Sequence, residues 1–328
     1  MSTVPDDPTP APDEAVFSPR GAAAQYAKAK PRGKATRYVP YVYQRALEVA
    51  IRAAITTQRP LLLRGAPGGG KSTLAYDIAI VKKWAYYERV IGSRMSAYDL
   101  LWQYDAVGRL NDAMVKDAAA KPPAYYVRPQ PLWWALDPDG AASFVQAGPD
   151  PAQDEKDVAD AKEAREAKGA VILLDEIDKA DPDLPNDLLV VLGEGRFRIA
   201  DIDLERKQSR DHVLVVVTSN GERELPAPFL RRCVCVSLPT PKRDVLKDIA
   251  IAHLPEWKNN ATLDRLLDRF EEIQKECKVD QQRPGTAEIL DALRACHDLK
   301  IGADHDDWKT LTLAMGWKNA DEPSPGLR

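Results

Sequence analysis

The sequence predicts an α/β fold, a parallel sheet held between two layers of helices, followed by a small all-helical region. Three observations predict it. Short uninterrupted apolar runs of strand length recur, at Leu61-Leu62-Leu63, Ala170-Val171-Ile172-Leu173-Leu174 and Val213-Leu214-Val215-Val216-Val217. Such runs mark strands buried on both faces, which helix-covered parallel sheets produce. Segments with helical spacing lie between them, and after Pro239 only amphipathic helices remain.

The chain has 328 residues, more than one core usually holds, so two domains are expected. Residues 1–36 are rich in Pro, Ala and charge without an apolar period, and are expected to form a disordered tail. Residues 37–240 would form the α/β domain, with a distinctive stretch at about 92–168, and residues 241–328 the helical domain.

Within the first domain, Leu47, Ala50, Ile51, Ala54 and Ile55 share one face of a helix over residues 43–57, which Pro60 ends. A first strand follows at 61–63. Leu74, Ile78 and Val81 then mark a helix, and residues 86–91 a second strand. From Gly92 to Ala147 the pattern is less regular and aromatic, with Tyr98, Trp102, Tyr104, Tyr125, Tyr126, Trp133 and Trp134. Residues 148–168 begin as a Pro/Asp loop and continue as a polar, Ala-rich helix former with a solvated face. The strand at 170–174 is followed by a helix over 184–192, a short hairpin from Arg196, a buried strand at 212–217 and a last one at 234–238. Helices are expected at 244–253, 263–277, 286–299 and 308–315.

The net charge of −4 offers no global attraction to nucleic acid or anionic membrane. No apolar run approaches the length of a membrane span and no secretory leader is evident, so a cytoplasmic protein is expected. Cys233, Cys235, Cys277 and Cys296 form no metal-ligand array; no zinc or disulfide is expected, and Cys233 and Cys235 read as small buried thiols.

The chemistry lies at the ends of the strands. Gly65-Ala66-Pro67-Gly68-Gly69-Gly70-Lys71-Ser72, followed by Thr73, satisfies the phosphate-binding pattern G-x-x-x-x-G-K-[ST] between a strand and a helix. Glycines let consecutive N–H groups turn toward the phosphates, Lys71 reaches the β/γ oxygens, and Ser72 can ligate Mg²⁺. A nucleoside triphosphate is the implied ligand. Asp175 and Glu176 close the strand at 170–174, where open α/β sheets bind ligands. Asp175 would hold Mg²⁺ through water, and Glu176 would orient and deprotonate the attacking water. Asn220, after Thr218 and Ser219 at the end of the next buried strand, could hydrogen-bond the γ-phosphate or that water. Arg231 and Arg232 precede the last strand, and one of them could serve as an arginine finger for a neighbouring subunit's nucleotide.

This set resembles the AAA+ ATPases, and in particular their MoxR-like branch. The residues carrying the resemblance are the loop at 65–72, the strand with Asp175-Glu176-Ile177-Asp178-Lys179, the Thr218-Ser219-Asn220 segment, and Glu224-Leu225-Pro226 through Cys233. Tyr38-Val39-Pro40 looks like the family's adenine-side segment, and residues 96–105 like the insert these ATPases carry. The resemblance covers about residues 38–300. It implies a P-loop NTPase core with a helical lid, binding ATP and Mg²⁺ and assembling as a homo-oligomer, a hexameric ring. Lys71, Ser72, Asp175, Glu176 and Asn220 would act in cis and Arg231 or Arg232 in trans, with Arg232 favoured. The lid arginine of many relatives has only Arg283 as a counterpart here, ahead of the helix rather than on it. The implied role is that of a chaperone-like ring acting on a protein client, for which the family suggests a von Willebrand factor A domain. A nucleic-acid motor and a nucleotide-gated scaffold in a defence or signalling complex are the alternatives. The acidic balance argues against the first, and the complete acid pair against the second.

Overall fold

A computed structural model of the chain describes residues 39–114, 121–145, 165–258, 260–276, 284–302, 305 and 307–314. The expected tail at 1–36, most of the polar stretch at 148–168, and Tyr38, Cys277 and Arg283 lie outside the described residues.

The chain divides into two compact units. The first contains residues 43–63 and 75–236, and the second contains residues 39–42, 64–74 and those described from Ser237 onward. A five-stranded sheet organises the first unit. Its strands are β1 (Leu61–Arg64), β2 (Ala85–Val90), β5 (Gly169–Asp175), β8 (His212–Ser219) and β9 (Val234–Ser237), in the order β2-β5-β8-β1-β9. The pairs β2/β5 and β5/β8 are parallel. At the other edge, Val234 N–H donates to the Pro60 carbonyl and Leu238 N–H to that of Arg64; both partners advance by four residues, so β9 runs parallel to β1.

The central strands carry the apolar runs. Leu61, Leu62 and Leu63, and Ala170 through Leu174, are all fully buried. Burial of each Leu, Val or Ile side chain among them stabilises the fold by roughly 1.5–3 kcal/mol. Helix α1 (Arg45–Thr57) turns Leu47, Ile51 and Ala54 inward, as its spacing requires. Helix α2 (Lys71–Lys82) does the same with Leu74, Ile78 and Val81.

The aromatic stretch after Gly92 folds around a small antiparallel pair, β3 (Trp102–Tyr104) with β4 (Val127–Pro129). Helix α3 (Ala106–Met114) lies between them in sequence, and the short helices α4 (Pro131–Leu136) and α5 (Pro138–Val145) follow. The aromatics are a local core: Trp133 is fully buried, with its ring 5.1 Å from that of Phe144 and 5.4 Å from that of Phe197. Trp102 adds a hydrogen bond of 3.0 Å from its indole nitrogen to Asp201. Phe197 belongs to β6 (Arg196–Ile199), which pairs antiparallel with β7 (Leu204–Lys207). That hairpin follows α6 (Leu184–Glu194), whose C-terminal cap is Gly195 in the left-handed conformation.

One expectation fails at the sheet edge. The segment at 234–238 reads as a buried strand and Cys235 as a buried thiol, yet β9 alternates between half-buried and exposed positions and Cys235 is exposed. An edge strand has a neighbour on one side only, so uninterrupted apolar character does not ensure burial there. Cys233, which precedes the strand, is buried.

The second unit includes helices α8 (Arg243–His253), α9 (Ala261–Glu276), α10 (Thr286–Leu299) and α11 (Asp307–Ala314). Leu246, Ala250, Leu263, Phe270, Ile289 and Leu293 form its apolar core. On its surface Asp264 accepts from both Lys247 and Arg243, which join α8 to α9. Among the described residues no helix is long and apolar enough to cross a membrane.

Candidate functional site

The loop between β1 and α2 is shaped by backbone that side chains would spoil. Gly68 and Gly70 have φ of +71° and +80°, in the left-handed region that glycine tolerates best. Lys71 is almost wholly buried, and its ammonium donates to the carbonyls of Gly65 at 2.8 Å and Ala66 at 2.9 Å. The lysine thereby pins the first turn of the loop. Ser72 and Thr73 follow on the first turn of α2, whose N-terminus supplies positive dipole potential to an anion.

A cavity of about 190 Å³ adjoins this loop. Gly68, Gly69, Gly70 and Thr73 line one side, and Val39, Pro40, Tyr41 and Val42 another. Pro241, Ile249, His253, Thr286, Ala287 and Leu290 complete the wall. A glycine-rich loop with the phosphate-binding pattern beside a mostly apolar recess would suit a nucleotide, which is charged at one end and flat and apolar at the other. Of the two described residues expected on the adenine side, Val39 and Pro40, both border the cavity.

Tyr41 adds something the sequence reading missed. Its ring lies 3.2 Å from where a Cβ on Gly70 would sit, and burial pushes its hydroxyl pKa up to about 12. No motif marks this tyrosine. Thr286 was missed for the same reason: its hydroxyl oxygen is buried without a hydrogen-bond partner among the described residues.

The acid pair sits at the end of β5, in the first unit. The strand register carries Leu174 opposite Val217, so Asp175 emerges beside Thr218. The Thr218 hydroxyl donates to Asp175 Oδ1 at 2.5 Å and accepts the Glu176 N–H at 2.9 Å. Glu176 has φ of +63°, a left-handed conformation that costs about 1 kcal/mol in a residue other than glycine. Its carboxylate is half-buried. Oε2 pairs with Lys179 at 2.9 Å, and Oε1 accepts a long hydrogen bond of 3.5 Å from the Asn220 carboxamide. The bond from Lys179 to Glu176 holds the lysine pKa above its ordinary value.

Asp178 fixes Asn220 in turn. This buried carboxylate accepts the backbone N–H groups of Asn220 and Glu222, each at 3.0 Å, and so anchors the turn after β8. A role for Asp178 is not legible from its position in the motif. Five groups from two strand ends, Asp175, Glu176, Asp178, Thr218 and Asn220, thus form one connected network.

Arg231 and Arg232 end helix α7 (Ala227–Arg232), and both are exposed. Among the described residues neither side chain makes a hydrogen bond or ion pair. Their carbonyls are held by Arg59, whose guanidinium donates to Arg232 O at 3.1 Å and also to Arg231 O. This places a cation at the C-terminal end of the helix, where the dipole favours it.

The family described as AAA domain (dynein-related subfamily) matches residues 60–233. No curated protein matches the chain. Among solved structures, the chain is similar to a candidate ATPase from Cytophaga hutchinsonii, with 13% identity over 75% of this chain and 56% of that one, at a TM-score of 0.38. It thus spans a little over half of that protein. It is also similar to a point mutant of Thermotoga maritima RuvB, with 15% identity over 82% of this chain and 73% of that one, at 0.39. The FIGL-1 AAA domain in complex with ADP is 16% identical over 82% of this chain and 75% of that one, at 0.40.

Proposed function

Because this chain belongs to the AAA domain family, in its dynein-related subfamily, we propose that it is an ATPase and works as a MoxR-like ring that uses ATP hydrolysis to remodel a protein client. The residues of the loop, Gly65, Ala66, Pro67, Gly68, Gly69, Gly70, Lys71, Ser72 and Thr73, hold the triphosphate. Val39 and its neighbours enclose the base. Tyr38 and Arg283, which lie outside the described residues, are assigned to the nucleotide site by the family resemblance alone.

The observation that carries the catalytic assignment is the network at the strand ends, in which Glu176 is held in a strained turn within reach of Asn220. Glu176 takes the proton of the attacking water, and Asn220 orients that water or the γ-phosphate. In the arrangement observed, the Glu176 carboxylate is engaged by Lys179 and Asn220, so it must exchange these partners to act as a base.

Ser72 and Asp175 are hard oxygen donors of the kind Mg²⁺ prefers. Phosphate oxygens and water would supply its remaining ligands. Bound there, Mg²⁺ would neutralise charge developing on the phosphates.

Arg231 and Arg232 would complete the site of a neighbouring subunit, Arg232 being the favoured finger. The exposure of both, with no partner among the described residues, supports this reading. The assembly is therefore proposed as a homo-oligomer, a hexameric ring. Its client would be a protein, with a von Willebrand factor A domain as the kind of partner to test first. The proposed place of work is the cytoplasm, where the free thiols Cys233, Cys235 and Cys296 stay reduced.

The deciding experiment is Glu176→Gln. The variant should bind ATP as well as the parent and lose turnover; undiminished hydrolysis would remove Glu176 from the mechanism.

A further inference from the structure

The helix that carries Arg231 and Arg232 is short and thinly anchored. Helix α7 spans six residues and buries one of them, Phe229, completely. The last four carbonyls of a helix have no intrahelical donor, so the end of α7 that bears both arginines needs donors from elsewhere. Arg59 supplies them, from 172 residues away in sequence. Its Nε donates to Arg232 O at 3.1 Å and its Nη2 to Arg231 O.

Arg59 is itself held in place. Helix α1 ends at Gln58, whose φ of +54° is left-handed, and the Arg59 N–H returns to the Ala54 carbonyl at 3.1 Å. Pro60 follows with its φ fixed by the ring, and its carbonyl accepts the Val234 N–H at 2.8 Å. The loop at 58–60 is thus pinned to α1 on one side and to β9 on the other. The planar guanidinium fork it carries suits two consecutive carbonyls, which a lysine ammonium does not engage in the same geometry. Among the described residues Arg59 makes no ion pair, so a third cation stands at the end of a helix that already carries two. Positive charge gathered in this way suits the polyphosphate of an adjacent subunit.

We propose that Arg59 is a positioning residue for the arginine finger: by fixing the C-terminal end of α7 it sets where Arg231 and Arg232 project into a neighbouring subunit's nucleotide site. This rests on the reading that one of those two arginines acts in trans. Arg59 takes no part in the chemistry, since both of its bonds go to the backbone of the residues that would.

The test compares steady-state ATP turnover of full-length variants. Arg59→Ala should lower turnover about tenfold, because a small displacement of a catalytic group is costly, and should leave equilibrium binding of a non-hydrolysable ATP analogue unchanged. Arg59→Lys keeps the charge, loses the fork, and should stay closer to Arg59→Ala than to the parent. Combined with Arg232→Ala, Arg59→Ala should add no further loss, since an absent finger needs no positioning. Mixing separates positioning from a folding defect. In rings assembled from Arg59→Ala and Glu176→Gln subunits, turnover per Arg59→Ala subunit should rise, because the Glu176→Gln neighbour offers a well-placed arginine to an intact acid. Parent-like turnover in Arg59→Ala or Arg59→Lys, loss of analogue binding, losses that multiply in the double variant, or mixing without a rise overturns the proposal. Parent-like turnover in both Arg231→Ala and Arg232→Ala overturns the reading of a finger in trans, and this inference with it.

Discussion

The Thr218 hydroxyl and the Asp175 carboxylate are joined by a hydrogen bond of 2.5 Å that links the ends of two neighbouring parallel strands. The same hydroxyl receives the Glu176 N–H, so one side chain sets the orientation of both acidic residues. Supporting contacts of this kind are worth about 10–100-fold in activity or metal affinity.

Thr218→Val preserves volume and strand preference and removes both bonds. ATP turnover should fall about 10–100-fold while ATP binding without Mg²⁺ stays unchanged. Thr218→Ser should recover most of the rate. Phosphate-release assays with a binding titration distinguish this from a folding defect, which would lower both.

An arginine acting across subunits can be tested by mixing. Arg232→Ala should lower turnover by about a thousandfold, within the range measured for such residues. Glu176→Gln alone should also be inactive. Rings assembled from both variants together should regain activity, because the Glu176→Gln subunit can lend its intact arginine to a neighbour's intact acid. Mixtures that stay inactive would place the arginine in its own subunit or outside the reaction.

The cysteines differ in access. Cys235 is exposed and should react with iodoacetamide in the native protein, whereas Cys233 is buried. Cys296 is buried as well, and that burial pushes its thiol pKa up to about 11, so it forms little thiolate at neutral pH. Mass spectrometry of a Cys277→Ser variant should show a single fast-labelling site, with the other two labelled only after denaturation.

Tyr41 predicts a loss of stability in alkali. Its hydroxyl stays protonated up to about pH 12 in the folded chain and to about pH 10 when unfolded. Between these values the unfolded state has released a proton that the folded state retains, so stability falls as pH rises. The contribution is of the order of 2 kcal/mol. Denaturant titrations from pH 9 to 12 should show a shallower decline in Tyr41→Phe than in the parent.

The elements of this protein are legible wherever burial is two-sided or the helical period is strong. The strands at β1, β5 and β8 and the helix Thr286–Leu299 follow directly from their apolar patterns. The loop at 65–72 is legible because its pattern fixes residue types at consecutive positions between a strand and a helix. Cys235 is misread because a pattern cannot say which strand lies at the edge of the sheet.

The sequence by itself determines the fold class, the phosphate loop and the acidic strand end, because each depends on residues close together in the chain. Only the tertiary structure decides which distant groups support them. Thr218 meets Asp175 because parallel register aligns two strands 43 residues apart in sequence. Tyr41 meets the loop at Gly70 because the chain returns there, which no local spacing records.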